Sequence, residues 1–141
     1  ICRLPVAQIA AADSALFLWV TMPMLQHGLR VIESWGFRYV TCVFTWVKQN
    51  SSSFGIYSGL GHWTNSNAEL CLLGRKGRLK RQAKDVKQIL LAPVLEHSRK
   101  PPEIRERIVR LLGDIPRIEL FARRKFDGWD VWGNEVESDV E

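Results

Sequence analysis

The sequence predicts an α/β fold in which one sheet carries helices on both faces. Its length of 141 residues suits a single domain, and its 46% hydrophobic and 25% charged fractions are ordinary for a globular protein. Runs of apolar and β-branched residues alternate with segments whose apolar residues recur at helical spacing. This alternation is typical of α/β domains, in which ligands bind beyond the carboxyl ends of the strands.

The first half of the chain predicts two strands separated by a helix. After a short helical segment over residues 6–11, the apolar run 15–20 lacks alternation, which is typical of a central parallel strand covered on both faces. Pro23 stands near the start of a helix and Gly36 ends it. Residues 37–47 are rich in β-branched and aromatic side chains, so they predict a long strand.

The second half predicts three more strands and one helix. Strands are expected over residues 70–73 and 86–91. Pro101 and Pro102 then open a helix with its apolar residues on one stripe. A last strand, 118–121, precedes a tail rich in Gly and Trp.

Composition argues against several classes of protein. No apolar run reaches the ~18 residues that a membrane-spanning helix needs, so no membrane partner is expected. The chain opens with Ile1 rather than Met and without a secretory signal, so we expect a fragment of a longer protein. The cysteines lack a spacing that suits zinc and predict core side chains in a reducing compartment, with no metal; they are Cys2, Cys42 and Cys71.

Positive charge is concentrated in residues 75–87, here called the basic segment. The chain carries 20 Lys and Arg against 15 Asp and Glu, a net charge of +5. The basic segment holds seven basic residues and one acid, a net of +6, so the rest of the chain carries −1. The segment predicts either a contact with nucleic-acid phosphates or a solvated loop.

Three further segments combine residue types that suit ligand binding. The long loop, residues 49–67, carries Trp63 among amides that suit stacking on a base, although a loop Trp is also a common packing anchor. Residues 97–102 place cations before a helix, which favours an anion or is simply a basic loop. Residues 117–135 place polar side chains at a strand end, where they suit ribose hydroxyls. The alternative is a tail that two Trp residues anchor to the rest of the domain.

Together these segments resemble the mRNA adenosine-N6 methyltransferase 70-kDa-subunit (MT-A) family, and most of all its prokaryotic and phage DNA-methylating members. The matching segments are 16–21, 46–48, 61–63, 69, 74–77, 98–101, 119–123 and 133–135. The resemblance implies a permuted, Rossmann-like class I methyltransferase sheet that binds S-adenosylmethionine. It also implies methyl transfer to the N6 amine of adenine.

By this resemblance, several residues of the second half contact the cofactor: Lys100, Phe121, Arg123, Lys125, Asn134 and Glu135. Lys100 looks like the lysine near the methionine carboxylate, and Phe121 looks like a wall against the adenine. Asn134 and Glu135 match the pair on the ribose hydroxyls. The position of Lys125 is His in some relatives.

The resemblance also implies residues that contact the nucleic acid. Those expected at the target adenine, under a loop that acts as a gate, are Gly61, His62, Trp63, Asn65, Glu69, Ser98 and Arg99. Those expected on the phosphate backbone, from the charge of the basic segment rather than from the resemblance, are Arg75, Lys76, Arg78, Lys80 and Arg81.

The Asp-Pro-Pro-Trp motif of the family does not occur in the sequence. Pro101 and Pro102 follow Lys100 rather than Asp and cannot replace it. The family order places the motif upstream of Ile1 on an N-terminal strand, so the catalytic residues are unassigned and these 141 residues are expected to be inactive alone.

The sequence therefore predicts an adenine-N6 methyltransferase acting on DNA, which the compactness of the chain favours over RNA by analogy. The alternatives are an RNA methyltransferase and a non-catalytic nucleic-acid-binding subunit, in a homo- or heterodimer. The expected location is cytoplasmic for a prokaryotic or phage protein and nuclear for a eukaryotic one.

Overall fold

Strands and helices alternate along the chain as the sequence predicts, in a computed structural model that describes residues 1–96 and 99–140. The helices are α1 Val6–Ile9, α2 Leu25–Ser34 and α3 Glu103–Leu112, with a 3-10 turn at Met22–Met24. The strands are β1 Ser14–Val20, β2 Arg38–Gln49, β3 Ala68–Lys76, β4 Ile89–Pro93, β5 Ile118–Leu120 and β6 Asp130–Trp132. The predicted elements are present, and the short strand β6 within the Gly/Trp-rich tail is an addition.

Four strands form the main sheet, in the order β1-β3-β2-β4. β3 pairs antiparallel with both β1 and β2, and β4 pairs parallel with β2. The prediction that residues 15–20 form a central parallel strand is therefore wrong, because β1 is an edge strand of this sheet and its one described partner is antiparallel. A continuous apolar run indicates that both faces of a strand are covered by other parts of the protein. It does not indicate whether the neighbouring strand runs parallel or antiparallel.

The remaining two strands form a second, parallel sheet of β5 and β6. The prediction of one sheet is therefore wrong for residues 1–96 and 99–140, in which the strands form two separate sheets. β6 has only three residues, too few for an alternating pattern to stand out among the tryptophans and glycines around it.

Helices cover both faces of the main sheet, as predicted. Neighbouring residues on β3 point to opposite faces, so Leu72 and Cys71 enter separate cores. Leu72 packs with Ile32 of α2, and Cys71 packs in the core that contains Ile104 of α3. The two apolar layers hold the sheet between the helices and keep the carboxyl ends of the strands in fixed positions.

Two expectations from composition have mixed outcomes. Cys71 is a core side chain as predicted, but Cys42 is only partly buried and Cys2 is exposed. Cys2 precedes the first regular element, so no strand holds it in the interior. None of the helices in the described part of the chain is long and apolar enough to cross a membrane.

Candidate functional site

A buried carboxylate lies where β3 begins and contacts two lysines. Glu69 exposes only 8% of its surface. Its Oε2 lies 2.9 Å from Nζ of Lys48, and its Oε1 accepts a hydrogen bond of 2.8 Å from Nζ of Lys100. The structure thus brings Glu69 and Lys100, two predicted site residues, into direct contact.

Three separate parts of the chain supply this cluster. Lys48 stands near the end of β2, and the antiparallel register places Val47 opposite Ala68, so the end of β2 meets the start of β3. Lys100 lies in the connection that leads into α3. The cluster therefore forms at the carboxyl end of β2, where a site in an α/β sheet is expected.

Two tryptophans line the same end of the sheet. Nζ of Lys100 lies 5.7 Å from the ring centroid of Trp19, and Nζ of Lys48 lies 5.1 Å from that of Trp46. The two indoles meet edge to face with centroids 6.4 Å apart, and Nε1 of Trp46 donates to the carbonyl of Ala92. Cation–π attraction and the ion pairs hold both ammonium groups in place.

The lysines keep Glu69 ionised despite its burial. Desolvation raises the pKa of the Glu69 carboxyl, but hydrogen bonds from Lys100 and Lys48, reinforced by their charges, lower it by more. The pKa of Glu69 consequently lies below its ordinary value. An ammonium keeps further N–H groups after donating one, so Lys100 can hold a second anion while it stays on Glu69.

A second group of polar residues gathers where β5 and β6 end. Nε of Arg123 lies 3.7 Å from Oε2 of Glu135, which joins the two strand ends. The nearby residue Gly133 is required there, because a Cβ at this position would lie 2.3 Å from the carbonyl oxygen of Ala122. The predicted cofactor residues Arg123 and Glu135 are thus neighbours.

Phe121 adopts a backbone conformation that is rare for its residue type. Its φ is +58°, in the left-handed region, and its side chain is 54% exposed. The ring meets Trp132 edge to face with centroids 5.3 Å apart. Such strain is found at functional positions more often than elsewhere, and here it ends β5 and presents a flat apolar surface.

One groove reaches both groups of residues, through Lys100 of the first and Arg123 of the second. It has a volume of about 980 Å³, runs between β1 and β5, and is lined by Lys100, Phe121 and Arg123 at one end. Asn134 is exposed on the chain just after β6, next to Glu135. The groove thus presents a cation, an aromatic surface and polar side chains along one path, a combination that suits a charged, nucleoside-containing ligand.

The long loop lies outside the cluster as a tight hairpin. Lys48 accepts a backbone hydrogen bond from Tyr57, and Gly59 donates one to Ser66. A Cβ on Gly61 would lie 2.1 Å from the carbonyl oxygen of Thr64, so only glycine fits this turn. Trp63 is 98% exposed and therefore is not a packing anchor within the described residues.

The other predicted site residues have varied surroundings. His62 and Asn65 are exposed in the hairpin with Trp63. Arg99 lies 3.5 Å from Glu96, and Ser98 falls outside the described residues. Nζ of Lys125 lies 3.7 Å from Asp139, which points it toward the tail rather than the groove.

The basic segment lies at the opposite end of the sheet from Glu69. β3 begins with Ala68 and Glu69 and ends with Arg75 and Lys76, so six residues at about 3.3 Å each separate Glu69 from Arg75 by about 20 Å. Arg78 donates its backbone N–H to Asp13, just before β1, at 2.8 Å. The exposed members of the segment are Arg78, Lys80, Arg81, Lys84 and Lys87.

Comparison with known proteins identifies this arrangement. A match to the MT-A70 family covers residues 1–135. The chain belongs to the MT-A70 family. Its predicted resemblance is confirmed, and the relatives of this MT-A70 chain carry names that describe methyltransferases.

The relatives come from bacteria, plants and animals. The MT-A70 chain is 37% identical over 136 residues to the type II methyltransferase M.MunI of Mycoplasma sp. It is 35% identical over 127 residues to an N(6)-adenosine-methyltransferase MT-A70-like protein of Arabidopsis thaliana, and 36% over 130 residues to the human N(6)-adenosine-methyltransferase catalytic subunit METTL3. These matches cover 95%, 88% and 89% of this chain but only 55%, 18% and 22% of the relatives.

Sequence reasoning left Lys48 without a role in this MT-A70 chain. The signal was available, since Lys48 directly follows Val47, at a strand end where informative residues are expected. Its contact with Glu69, 21 positions later, depends on the antiparallel register of β2 and β3, which the sequence did not supply. Within the described residues, no cluster of three or more His, Cys, Asp or Glu could hold a metal ion.

The lysines predict how Glu69 responds to pH. With both lysines present, the stabilisation due to ionised Glu69 is complete above the ordinary Glu pKa of about 4.3 and is lost as pH falls through the lower folded-state value. In the double variant Lys48→Met, Lys100→Met only burial remains, so the pKa of Glu69 should rise above its ordinary value. A carboxyl-detected NMR titration measures this directly.

The control is Lys48→Arg, Lys100→Arg, which retains both charges. Its Glu69 should keep a pKa below the ordinary value. A Glu69 pKa that stays low in the methionine variant would contradict the assignment of the two lysines as the cause.

Proposed function

We propose that the protein transfers a methyl group from S-adenosylmethionine to the N6 amine of adenine in DNA. Membership of the MT-A70 family is the observation that carries this proposal. The proposal includes the permuted Rossmann-like arrangement implied by the resemblance, and cytoplasmic action if the source is prokaryotic or phage.

The groove fits the charged and flat parts of S-adenosylmethionine. Lys100 supplies an ammonium for the methionine carboxylate, and the exposed ring of Phe121 suits the adenine. Glu135 and Asn134 offer a carboxylate and an amide for the ribose hydroxyls. Arg123 positions Glu135, since their side chains lie 3.7 Å apart.

The cofactor supplies an electrophilic methyl group on a sulfonium. An adenine amine is a weak nucleophile because its lone pair is delocalised into the ring, so the residues of this chain contribute by positioning rather than by strong base catalysis. Glu69, kept ionised by Lys48 and Lys100, can accept hydrogen bonds from an exocyclic amine and orient it. The catalytic residues themselves are assigned to the segment upstream of Ile1, so the 141 residues alone should be inactive.

The exposed hairpin suits recognition of a base that has left the stack. Trp63 presents an indole surface to solvent, and Gly61 fixes the turn that carries it. The backbone of Lys48, which is part of the Glu69 cluster, donates to Asn67 at the end of the loop and accepts from Tyr57 within it. A base bound under this loop would therefore lie near the carboxylate.

DNA is chosen over RNA by analogy with the size of the relatives, since their identities to this chain are nearly equal. The match to the type II methyltransferase M.MunI covers 55% of that protein, whereas the matches to the Arabidopsis and human adenosine methyltransferases cover 18% and 22%. Homo- or heterodimerisation is part of the proposal, and a non-catalytic subunit is the alternative if the upstream motif has been lost.

The proposal predicts N6-methyladenine in DNA. The full-length natural protein, S-adenosylmethionine and matched DNA and RNA oligonucleotides should give N6-methyladenine in the DNA by mass spectrometry, at a rate at least about tenfold above that in RNA. Faster methylation of the RNA would reverse the choice of substrate. Cofactor binding without methylation of either polymer would favour the non-catalytic subunit.

The ribose assignment predicts a selective loss of cofactor affinity. Glu135→Ala should weaken binding of S-adenosylmethionine to the full-length protein by about 1–3 kcal/mol, because the ribose loses hydrogen bonds to a charged acceptor. Glu137→Ala removes an exposed carboxylate two residues away and is the matched control. Isothermal titration calorimetry measures both, and equal affinities would exclude Glu135 as the ribose ligand.

The basic segment predicts sequence-independent contacts with phosphates. About 20 Å from Glu69 corresponds to about six base pairs at 3.4 Å each, so a duplex that reaches both places would be contacted away from the target base. Lys80→Ala, Arg81→Ala should weaken binding equally for different sequences and flatten the log–log salt dependence by roughly 0.7–0.9 per lost contact. Fluorescence anisotropy at several salt concentrations measures the slope.

The matched control is Arg3→Ala, Arg30→Ala, which removes the same charge from exposed positions elsewhere. If both variants flatten the salt dependence of binding equally, the basic segment contributes only to the overall positive charge of the protein and makes no particular contact with phosphates. Trp63→Ala should differ from both by reducing methylation more than binding, because the loop is assigned to the extruded base alone.

A further inference from the structure

One arginine of α3 contacts both the strand and the loop that lead through half of the candidate cofactor site. Nη2 of Arg105 donates to the two carboxylate oxygens of Glu119 in β5, at 2.8 and 3.0 Å. Cζ of the same guanidinium lies 3.4 Å from the ring centroid of Phe126. Because the side chain of Arg105 is only 19% exposed, water and salt screen these contacts weakly.

The two contacts of Arg105 flank the residues assigned to the adenosine part of the cofactor. Phe121 and Arg123 lie between Glu119 and Phe126 in the sequence. The guanidinium therefore holds this segment at a point before it and at a point after it. The position of the segment relative to α3 depends on both contacts.

The helix that carries Arg105 begins directly after the lysine assigned to the methionine carboxylate. α3 starts at Glu103, three residues after Lys100, and Arg105 lies in its first turn. Among the described residues, no ion pair other than that of Arg105 with Glu119 joins α3 to β5. Arg105 thus links the part of the chain that holds Lys100 to the part that holds Phe121.

We propose that Arg105 is a positioning residue that sets the spacing between the two sides of the cofactor site, with Lys100 on one side and Phe121 and Arg123 on the other. This role rests on the proposed function, which supplies S-adenosylmethionine as the ligand. The cofactor joins a carboxylate to an adenine covalently, so it binds tightly only where both partners are held at a matching separation. A ligand that contacts one side alone does not depend on that separation.

The Phe121 side keeps its own structure without Arg105. The N–H of Ala122 donates to the carbonyl of Trp132 at 2.9 Å, and the rings of Phe121 and Trp132 have centroids 5.3 Å apart. β5 and β6 also pair in parallel. Loss of Arg105 should therefore change the position of this side relative to α3 and leave its internal contacts in place.

The two contacts of Arg105 together require a guanidinium. Its planar group stacks on the ring of Phe126 while its edge donates to the carboxylate of Glu119. A lysine ammonium carries the same charge but has no flat surface, so Arg105→Lys cannot keep both contacts. Arg105→Met keeps a long, flexible side chain and removes the charge and the donors.

The experiment compares a ligand that spans both sides with one that contacts a single side. Calorimetry on the full-length natural protein measures S-adenosylmethionine, and ligand-observed NMR measures 5′-methylthioadenosine, which keeps the adenine and ribose but lacks the carboxylate. Arg105→Met should weaken S-adenosylmethionine at least about tenfold and 5′-methylthioadenosine less than about twofold. Arg105→Lys should weaken S-adenosylmethionine at least about threefold, since charge alone does not fix the spacing.

The matched control is Arg107→Met, which removes a partly buried guanidinium from the same helix. Nη1 of Arg107 donates to the carbonyls of Lys87 and Ile89, at 2.9 and 3.0 Å, so it ties α3 to β4 rather than to β5. Because the spacing of the cofactor site does not depend on this tie, both affinities should stay within about twofold of those of the natural protein.

Glu119→Gln tests whether Arg105 acts through its carboxylate partner. This variant keeps an acceptor but loses the charge, so it should weaken S-adenosylmethionine in the same direction as Arg105→Met. The double variant should bind no more weakly than Arg105→Met alone, because the two residues act as one pair. If Arg105→Met does not fold, Arg105→Lys and Glu119→Gln carry the same comparison of the two ligands.

Four outcomes would overturn the role of Arg105. They are an unchanged affinity of its variants for S-adenosylmethionine, an equal loss for both ligands, an equal loss in Arg107→Met, and failure of 5′-methylthioadenosine to bind a natural protein that binds the cofactor. A natural protein that binds neither ligand would instead refute the proposed function, and the role of Arg105 with it. That result is distinguishable because it appears before any residue is changed.

Discussion

The ion pairs of Glu69 with Lys48 and Lys100 tie together the end of β2, the start of β3 and the connection into α3. A buried carboxylate without such partners would be costly, so the three segments keep their positions as one unit. Because Lys100 also lies against Trp19, the cluster reaches β1 as well. The contact of Lys100 with Glu69 thus helps the core residue Ile104 to hold the start of α3, which lines one wall of the groove.

The other half of the site depends on backbone geometry rather than on charge. Phe121 turns the chain with a positive φ, and Gly133 lets the end of β6 approach Ala122. These two features bring Arg123 and Glu135 together, although twelve positions separate them in the sequence. Charge thus positions Lys100, whereas backbone geometry positions Arg123, and both side chains line the same groove.

Local pattern predicted the elements well because each depends on residues close in sequence. Helical spacing and proline placed α2 and α3, an aromatic and β-branched run placed β2, and the short apolar run at 70–73 placed β3. The direction of β1 relative to β3 and the contact of Lys48 with Glu69 both depend on pairing between strands that are far apart in the sequence. Among the predicted site residues, Lys100 and Glu69 were placed together by the structure, while the roles assigned to them stay predictions.

The separation of β1 and β5 along the chain has a consequence for biosynthesis. β1 begins at Ser14 and β5 at Ile118, so the two sides of the groove leave the ribosome at different times. At about 5–20 residues per second, the second wall follows the first by roughly 5–20 s. Until β5 emerges, the groove has only one of its two sides, because β1 stands without the strand that faces it. During that interval the nascent chain exposes an unpaired strand edge, the kind of surface that chaperones bind.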